Sequence, residues 1–166
     1  MSMYFIGIDI SKYKHDCCII SAANQKVVSK VIIKNNKAGF NELLTIIHSL
    51  ANPADIRIGF ESTAHYALNL ELFLENSLLT FMEVNPVLIS EYKKSKTLRR
   101  TKTDSVDCES IARWLMTVEY KPHSKGFYHA YSLKSLTRLR DKLIRQRSFY
   151  LVKITNVLDH TFPEFK

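Results

Sequence analysis

The sequence predicts an α/β fold: a mixed five-stranded sheet with flanking helices, followed by a long helix that stands apart. Three observations lead there. Short apolar runs recur five times, and segments of helical periodicity separate them after the third. The first run, Tyr4-Phe5-Ile6-Gly7-Ile8-Asp9-Ile10, is apolar on both faces, as a central strand must be. Beyond Ser132, Leu136, Leu143, Tyr150 and Val157 recur every seven residues in a stretch too long and one-sided for a core helix.

The elements follow in order. After the first strand, Ser11-Lys12-Tyr13-Lys14 is a polar break and His15 to Ser21 is a second strand. Asn24-Gln25 turns the chain into a third, Lys26 to Ile33, which completes an antiparallel meander. Asn36 caps a helix whose Phe40, Leu43, Leu44, Ile47 and Leu50 share one face, and Pro53 ends it. Ile56 to Phe60 is a fourth strand with Glu61 at its tip. Tyr66 to Leu74 is helical by pattern, and Leu78 to Val84 is the fifth strand. Asn85-Pro86 opens a third helix, with proline at the favoured first position. Right-handed crossovers make the later strands parallel to the first.

From Lys93 the composition changes. Lys93, Lys94, Lys96, Arg99, Arg100 and Lys102 crowd a stretch without apolar periodicity, expected to be an exposed loop that orders on a phosphate backbone. A merely solvated charge run is the plainer alternative. Thr103 or Asp104 then caps a helix through Ile111, Ala112, Trp114 and Leu115. Asp104 and Asp107 are three apart and share a face of its first turn. Taken alone, such acids do no more than complement the helix dipole.

These boundaries divide the chain into a catalytic domain over 1–119, a linker over 120–131 and an arm over 132–166. The arm's polar side carries Arg138, Arg140, Lys142, Arg145, Arg147 and Lys153, and its apolar stripe suits a coiled coil that joins copies of the chain. A helix folded back on the sheet is the competing arrangement.

Of 166 residues 46% are hydrophobic, enough for one real core plus an appendage. Twenty-four Lys and Arg against sixteen Asp and Glu leave a net charge of +8, which favours a polyanionic partner such as DNA or RNA. The three cysteines, Cys17, Cys18 and Cys108, have neither disulfide-framework nor zinc-ligand spacing. With no secretory signal and no apolar run long enough for a bilayer, the expected setting is a reducing cytoplasm, without a membrane partner.

A carboxylate at the end of a buried strand is costly unless paired or coordinated. Asp9 and Glu61 end two strands that can be neighbours, and with Asp104 and Asp107 they can be read as one divalent-metal site. Phosphodiester cleavage uses two cations roughly 4 Å apart, one activating the attacking oxygen and one stabilising the leaving oxygen. Mg²⁺, or Mn²⁺, takes oxygen ligands of this kind. Acids on the first strand, the fourth strand and a late helix of such a sheet describe a ribonuclease H-like arrangement.

Six motifs occur in one order: Gly7-Ile8-Asp9-Ile10-Ser11-Lys12, Asn36-Lys37-Ala38-Gly39-Phe40, Glu61-Ser62-Thr63-Ala64-His65-Tyr66, Glu83-Val84-Asn85-Pro86, Tyr92-Lys93-Lys94-Ser95 and Lys102-Thr103-Asp104-Ser105-Val106-Asp107. The set resembles the DEDD transposases of bacterial insertion sequences, a bridge-RNA-guided recombinase group with a RuvC-like N-terminal domain and kinship to pilin-gene inverting recombinases. The resemblance implies that Asp9, Glu61, Asp104 and Asp107 are catalytic metal ligands, and that DNA and a structured guide RNA are partners. It also implies a second, serine-bearing domain beyond the arm, outside this chain. Two positions depart from the pattern: Ala64 where glycine is common, and Cys108 where alanine is common.

Other classes compete. An actin-like kinase also begins with Gly-Ile-Asp, but Ile10-Ser11-Lys12 replace the glycines that would admit phosphates. A stand-alone Holliday-junction resolvase could use the same four acids, and a non-catalytic dimerisation module could bind nucleic acid without metal.

Overall fold

The computed structural model describes residues 3–61, 66–96, 104–123 and 127–164. The chain forms two compact units, Met1–His123 and Ser124–Lys166.

The first unit begins with three strands, β1 (Tyr4–Ile10), β2 (Lys14–Ser21) and β3 (Val27–Lys34). Helix α1 (Lys37–Leu50) follows, its first turn capped by the Asn36 side chain, which accepts from the Gly39 amide at 3.0 Å. Pro53 does not extend it but opens a short 3-10 turn into β4 (Ile56–Glu61). Helix α2 (Leu68–Asn76), strand β5 (Phe81–Val84) and helices α3 (Pro86–Lys96) and α4 (Asp104–Leu115) complete the unit. The Asn85 side chain accepts from the Val87 amide at 2.9 Å, so the Asn-Pro pair starts α3 as its sequence implies.

The five strands form one sheet in the order β3-β2-β1-β4-β5. β1 and β2, and β2 and β3, are antiparallel; β1 and β4, and β4 and β5, are parallel. The strand that is apolar on both faces is therefore the central one. On one face α3 and α4 close a core of Phe5, Val84, Ile89, Ile111, Trp114 and Leu115. Toward the other face, Phe40 of α1 stacks on His15 at 6.0 Å and meets Phe73 of α2 at 5.4 Å.

Two boundaries differ from the sequence expectation. Leu78 and Leu79 do not begin β5. Leu78 has φ 57° and is 76% exposed, and its amide donates to Glu75 while that of Leu79 donates to Leu74. This is a Schellman ending for α2 with leucine in the left-handed position where glycine is usual, so apolar pattern alone misassigns it. Likewise, residues 120–123 belong to the first unit. The Tyr120 hydroxyl donates to the Ile58 carbonyl at 3.1 Å, and His123 donates its amide to Phe81 at 2.7 Å.

The second unit is one helix, α5 (Phe127–Thr161), starting ahead of Ser132. Leu136, Leu143, Tyr150 and Val157 are 64%, 55%, 59% and 60% exposed along it. Among the described residues no helix is long and apolar enough to cross a membrane.

Candidate functional site

Gly7 and Gly59 are register partners on β1 and β4. A Cβ on Gly7 would overlap the backbone of Cys108 and Ala112, and one on Gly59 would lie 2.7 Å from the Leu115 side chain. Both glycines thus face α4, and their missing side chains let the helix rest directly on the strands. Side chains alternate between the two faces of a strand, so Asp9 and Glu61, each two residues further on, project from the same face as the glycines. They occupy the step after the Ile8↔Phe60 pair, side by side toward the carboxyl ends of two parallel strands.

Helix α4 brings the next acid to the same end of the sheet. Its residue Cys108 overlies Gly7, and the charge of Asp107, one residue earlier, reaches Glu61 at the tip of β4. The Asp107 carboxylate accepts from the Lys93 ammonium of α3 at 2.8 Å, with the two side chains 19% and 30% exposed. Burial pushes the Glu61 carboxyl above its ordinary value; the Lys93 charge pulls it down and the Asp107 charge pushes it up. Glu61, Asp107 and Lys93 therefore share one electrostatic neighbourhood.

Of the four acids, Asp9 is half-buried on β1, and Asp104 opens α4 with its side chain outside the described residues. Among the described residues no three His, Cys, Asp or Glu side chains are gathered tightly enough to hold a metal ion. The donor set nevertheless fits a hard divalent cation, since Asp9, Glu61 and Asp107 offer only oxygens, and a cation, the Lys93 ammonium, already stands on one of them.

Ion pairs hold α4 across the meander. Glu109 accepts from Lys30 of β3 at 2.8 Å and from Arg113, one turn on, at 2.8 Å. The Lys30 hydrogen bond, seconded by Arg113, holds the Glu109 carboxyl below the usual range. Beneath the helix, Cys108 packs with Cys18, Ile20 and Ala112, and the Cys18 and Cys108 thiols hydrogen-bond one another. Cysteine in place of alanine after Asp107 is thus accommodated by a second cysteine on β2.

The DEDD transposase family model, described as Transposase, matches residues 6–163, nearly the whole chain. This chain belongs to the DEDD transposase family.

Two curated relatives, the pilin gene-inverting proteins of Moraxella bovis and Moraxella lacunata, are each 33% identical to this DEDD transposase chain over 115 residues. The match takes in 69% of the chain but only 34% of either relative's length. Among solved structures, RuvC of Thermus thermophilus, one described as in complex with a Holliday junction substrate, aligns over 73% of the chain. It covers 99% of that structure at TM-score 0.51 and 11% identity; a second Thermus thermophilus RuvC structure aligns over 100% of its length at the same score. The fold of the transposase chain is accordingly RuvC-like, a mixed five-stranded sheet with flanking helices.

Sequence reasoning missed one acid at this end of the sheet. Asp16 of β2 lies directly opposite Asp9, is 7% exposed, and pairs with Lys14 at 3.1 Å. The signal was the hairpin register: positions equidistant from the Lys12-Tyr13 turn face each other, and Asp9 and Asp16 are such a pair. The basic stretch also differs from expectation. Lys93, Lys94 and Lys96 are helical, in the closing turns of α3, rather than in a loop. Lysine is a good helix former, and the Asp107 bond anchors Lys93 where the helix continues. Arg99, Arg100 and Lys102 lie outside the described residues, while Arg138 and Arg145 are exposed on α5.

Proposed function

We propose that this chain is the metal-dependent, nucleic-acid-binding part of a DNA transposase or recombinase that cleaves and exchanges DNA strands. The observation that carries the proposal is the Gly7–Gly59 seat of α4, which turns Asp9, Glu61 and Asp107 toward one end of the sheet in a chain of the DEDD transposase family. Asp9, Glu61, Asp104 and Asp107 would hold Mg²⁺ or Mn²⁺. Such ions, when bound, activate an attacking oxygen and stabilise the leaving one. The chain's own residues supply the rest. The paired glycines fix the spacing between helix and strands, the Glu109 ion pairs hold the helix in place, and flanking lysines offset the charge of the carboxylates.

Divalent ions test this directly. Carboxylates crowded at one place repel, so Mg²⁺ or Mn²⁺ should raise the melting temperature, by about 2.7 kcal/mol of stability at a hundredfold excess over Kd. Asp9→Ala or Glu61→Ala should abolish that gain while leaving the metal-free fold intact. An equal metal-induced shift in wild type and in the variant with all four acids replaced by alanine would sink the proposal.

DNA and a structured guide RNA are the proposed partners, held by Lys93, Lys94, Lys96, Arg99, Arg100 and Lys102 and by Arg138 and Arg145 on the arm. Affinity should fall steeply with salt, with a logarithmic slope of about 0.9 per duplex phosphate neutralised. In the triple alanine variant of Lys96, Arg99 and Arg100, both affinity and slope should drop alike for all sequences, because phosphate contacts position without specifying. Titrations at several salt concentrations decide it: unchanged binding in the triple variant removes this stretch from the interface. The apolar stripe of α5 is proposed to join copies of the chain.

A further inference from the structure

The ion pair between Lys93 and Asp107 joins two elements that meet at the carboxylate site, α3 and α4. It is short, at 2.8 Å, and both side chains are more than two-thirds covered. Its ammonium does not serve Asp107 alone, because its charge also reaches Glu61, the acid at the tip of β4. One cationic group therefore sits on one candidate ligand and within electrostatic reach of a second.

We propose that Lys93 is a positioning residue of the metal site: its ammonium occupies the Asp107 carboxylate before a divalent ion does, and must leave that oxygen for the ion to bind. This inference rests on the metal reading above. Elementary electrostatics gives it two consequences. With the ammonium in place, like charges on Glu61 and Asp107 are tolerated in a half-buried setting without metal. A metal ion, however, meets a ligand already taken, so its apparent affinity is reduced by the fraction of molecules in which Asp107 is released. The neighbouring Lys94 is exposed on the same helix and has no such position.

Mn²⁺ titration of the 166-residue chain, tracked by the free-ion EPR signal without nucleic acid, provides the test. Lys93→Met keeps the unbranched apolar stem, one atom shorter, and removes the charge. It should tighten Mn²⁺ binding about tenfold, as expected if Asp107 is released in roughly one molecule in ten. Lys93→Arg, which keeps the charge, should bind Mn²⁺ as weakly as wild type. Lys94→Met should also leave the affinity near that of wild type, whereas a tightening equal to that of Lys93→Met would reduce the effect to general charge and overturn the proposal. Melting curves without metal report whether each variant is folded, and Lys93→Ala serves if the methionine variant is not. Equal Mn²⁺ affinity in wild type and Lys93→Met overturns the role of Lys93 while leaving the metal site standing. No Mn²⁺ binding in either protein overturns the metal reading, and this inference with it.

Discussion

Gly7→Ala is expected to cost the domain about 3 kcal/mol or more, although it adds a single methyl group. The added carbon would overlap the Cys108 carbonyl and the Ala112 amide, and backbone inside a helix cannot step aside as a side chain can. Relief requires α4 to lift from β1, which opens the packing of Ile111, Trp114 and Leu115 behind it. Gly59→Ala makes an informative control. The nearest atoms to its Cβ all belong to the Leu115 side chain, the two methyl groups at 2.7 and 2.8 Å first, and a side chain can shift, so a loss of about 1 kcal/mol is expected. Urea unfolding of both variants measures the difference. Because lifting α4 also carries Asp107 away from Glu61, Gly7→Ala should lose the stabilisation by Mg²⁺ at temperatures where it remains folded. Equal losses in the two variants would mean that α4 does not rest on β1 in the manner described.

The same pair of glycines shows what was legible in the sequence. Helix order could be read from periodicity where an element buries one clear face, as on α1, whose Phe40, Leu43 and Ile47 are all buried. The two strand-tip acids were legible too, since a carboxylate after an apolar run stands out at Asp9 and again at Glu61. What periodicity cannot show is which strands are neighbours. The Gly7↔Gly59 register, and with it the adjacency of Asp9 and Glu61, exists only once β1 and β4 are paired. Asp16 escaped notice for the same reason, because its relation to Asp9 is a cross-strand one. Lys93 was read only as part of the charge run around it, and its bond to Asp107, fourteen residues on, could not be seen there. Charge density along the chain reports a polyanion's attraction, but not which lysine is already engaged by the protein's own acids.

The arm poses a separate question of what covers it. Helix α5 holds 35 residues, about 50 Å of helix, and Leu136, Leu143, Tyr150 and Val157 fall two turns apart along it. Water contact at four large apolar side chains in one row is unfavourable, and covering each recovers roughly 2 kcal/mol. The same row on a second chain doubles the gain, which then falls on the scale of the association cost of about 4–15 kcal/mol. A repeat of seven keeps such a row facing its partner over the whole length if the two helices wind gently around each other. The expected state is a dimer or larger in light scattering, persisting on dilution to micromolar protein. Leu143→Glu places a carboxylate in the middle of the row, where it loses its water without gaining a partner. That substitution should convert the assembly to monomers and leave the melting of the first unit unchanged, whereas Leu143→Met should keep the chains assembled. A wild-type monomer at high concentration would overturn the pairing of arms.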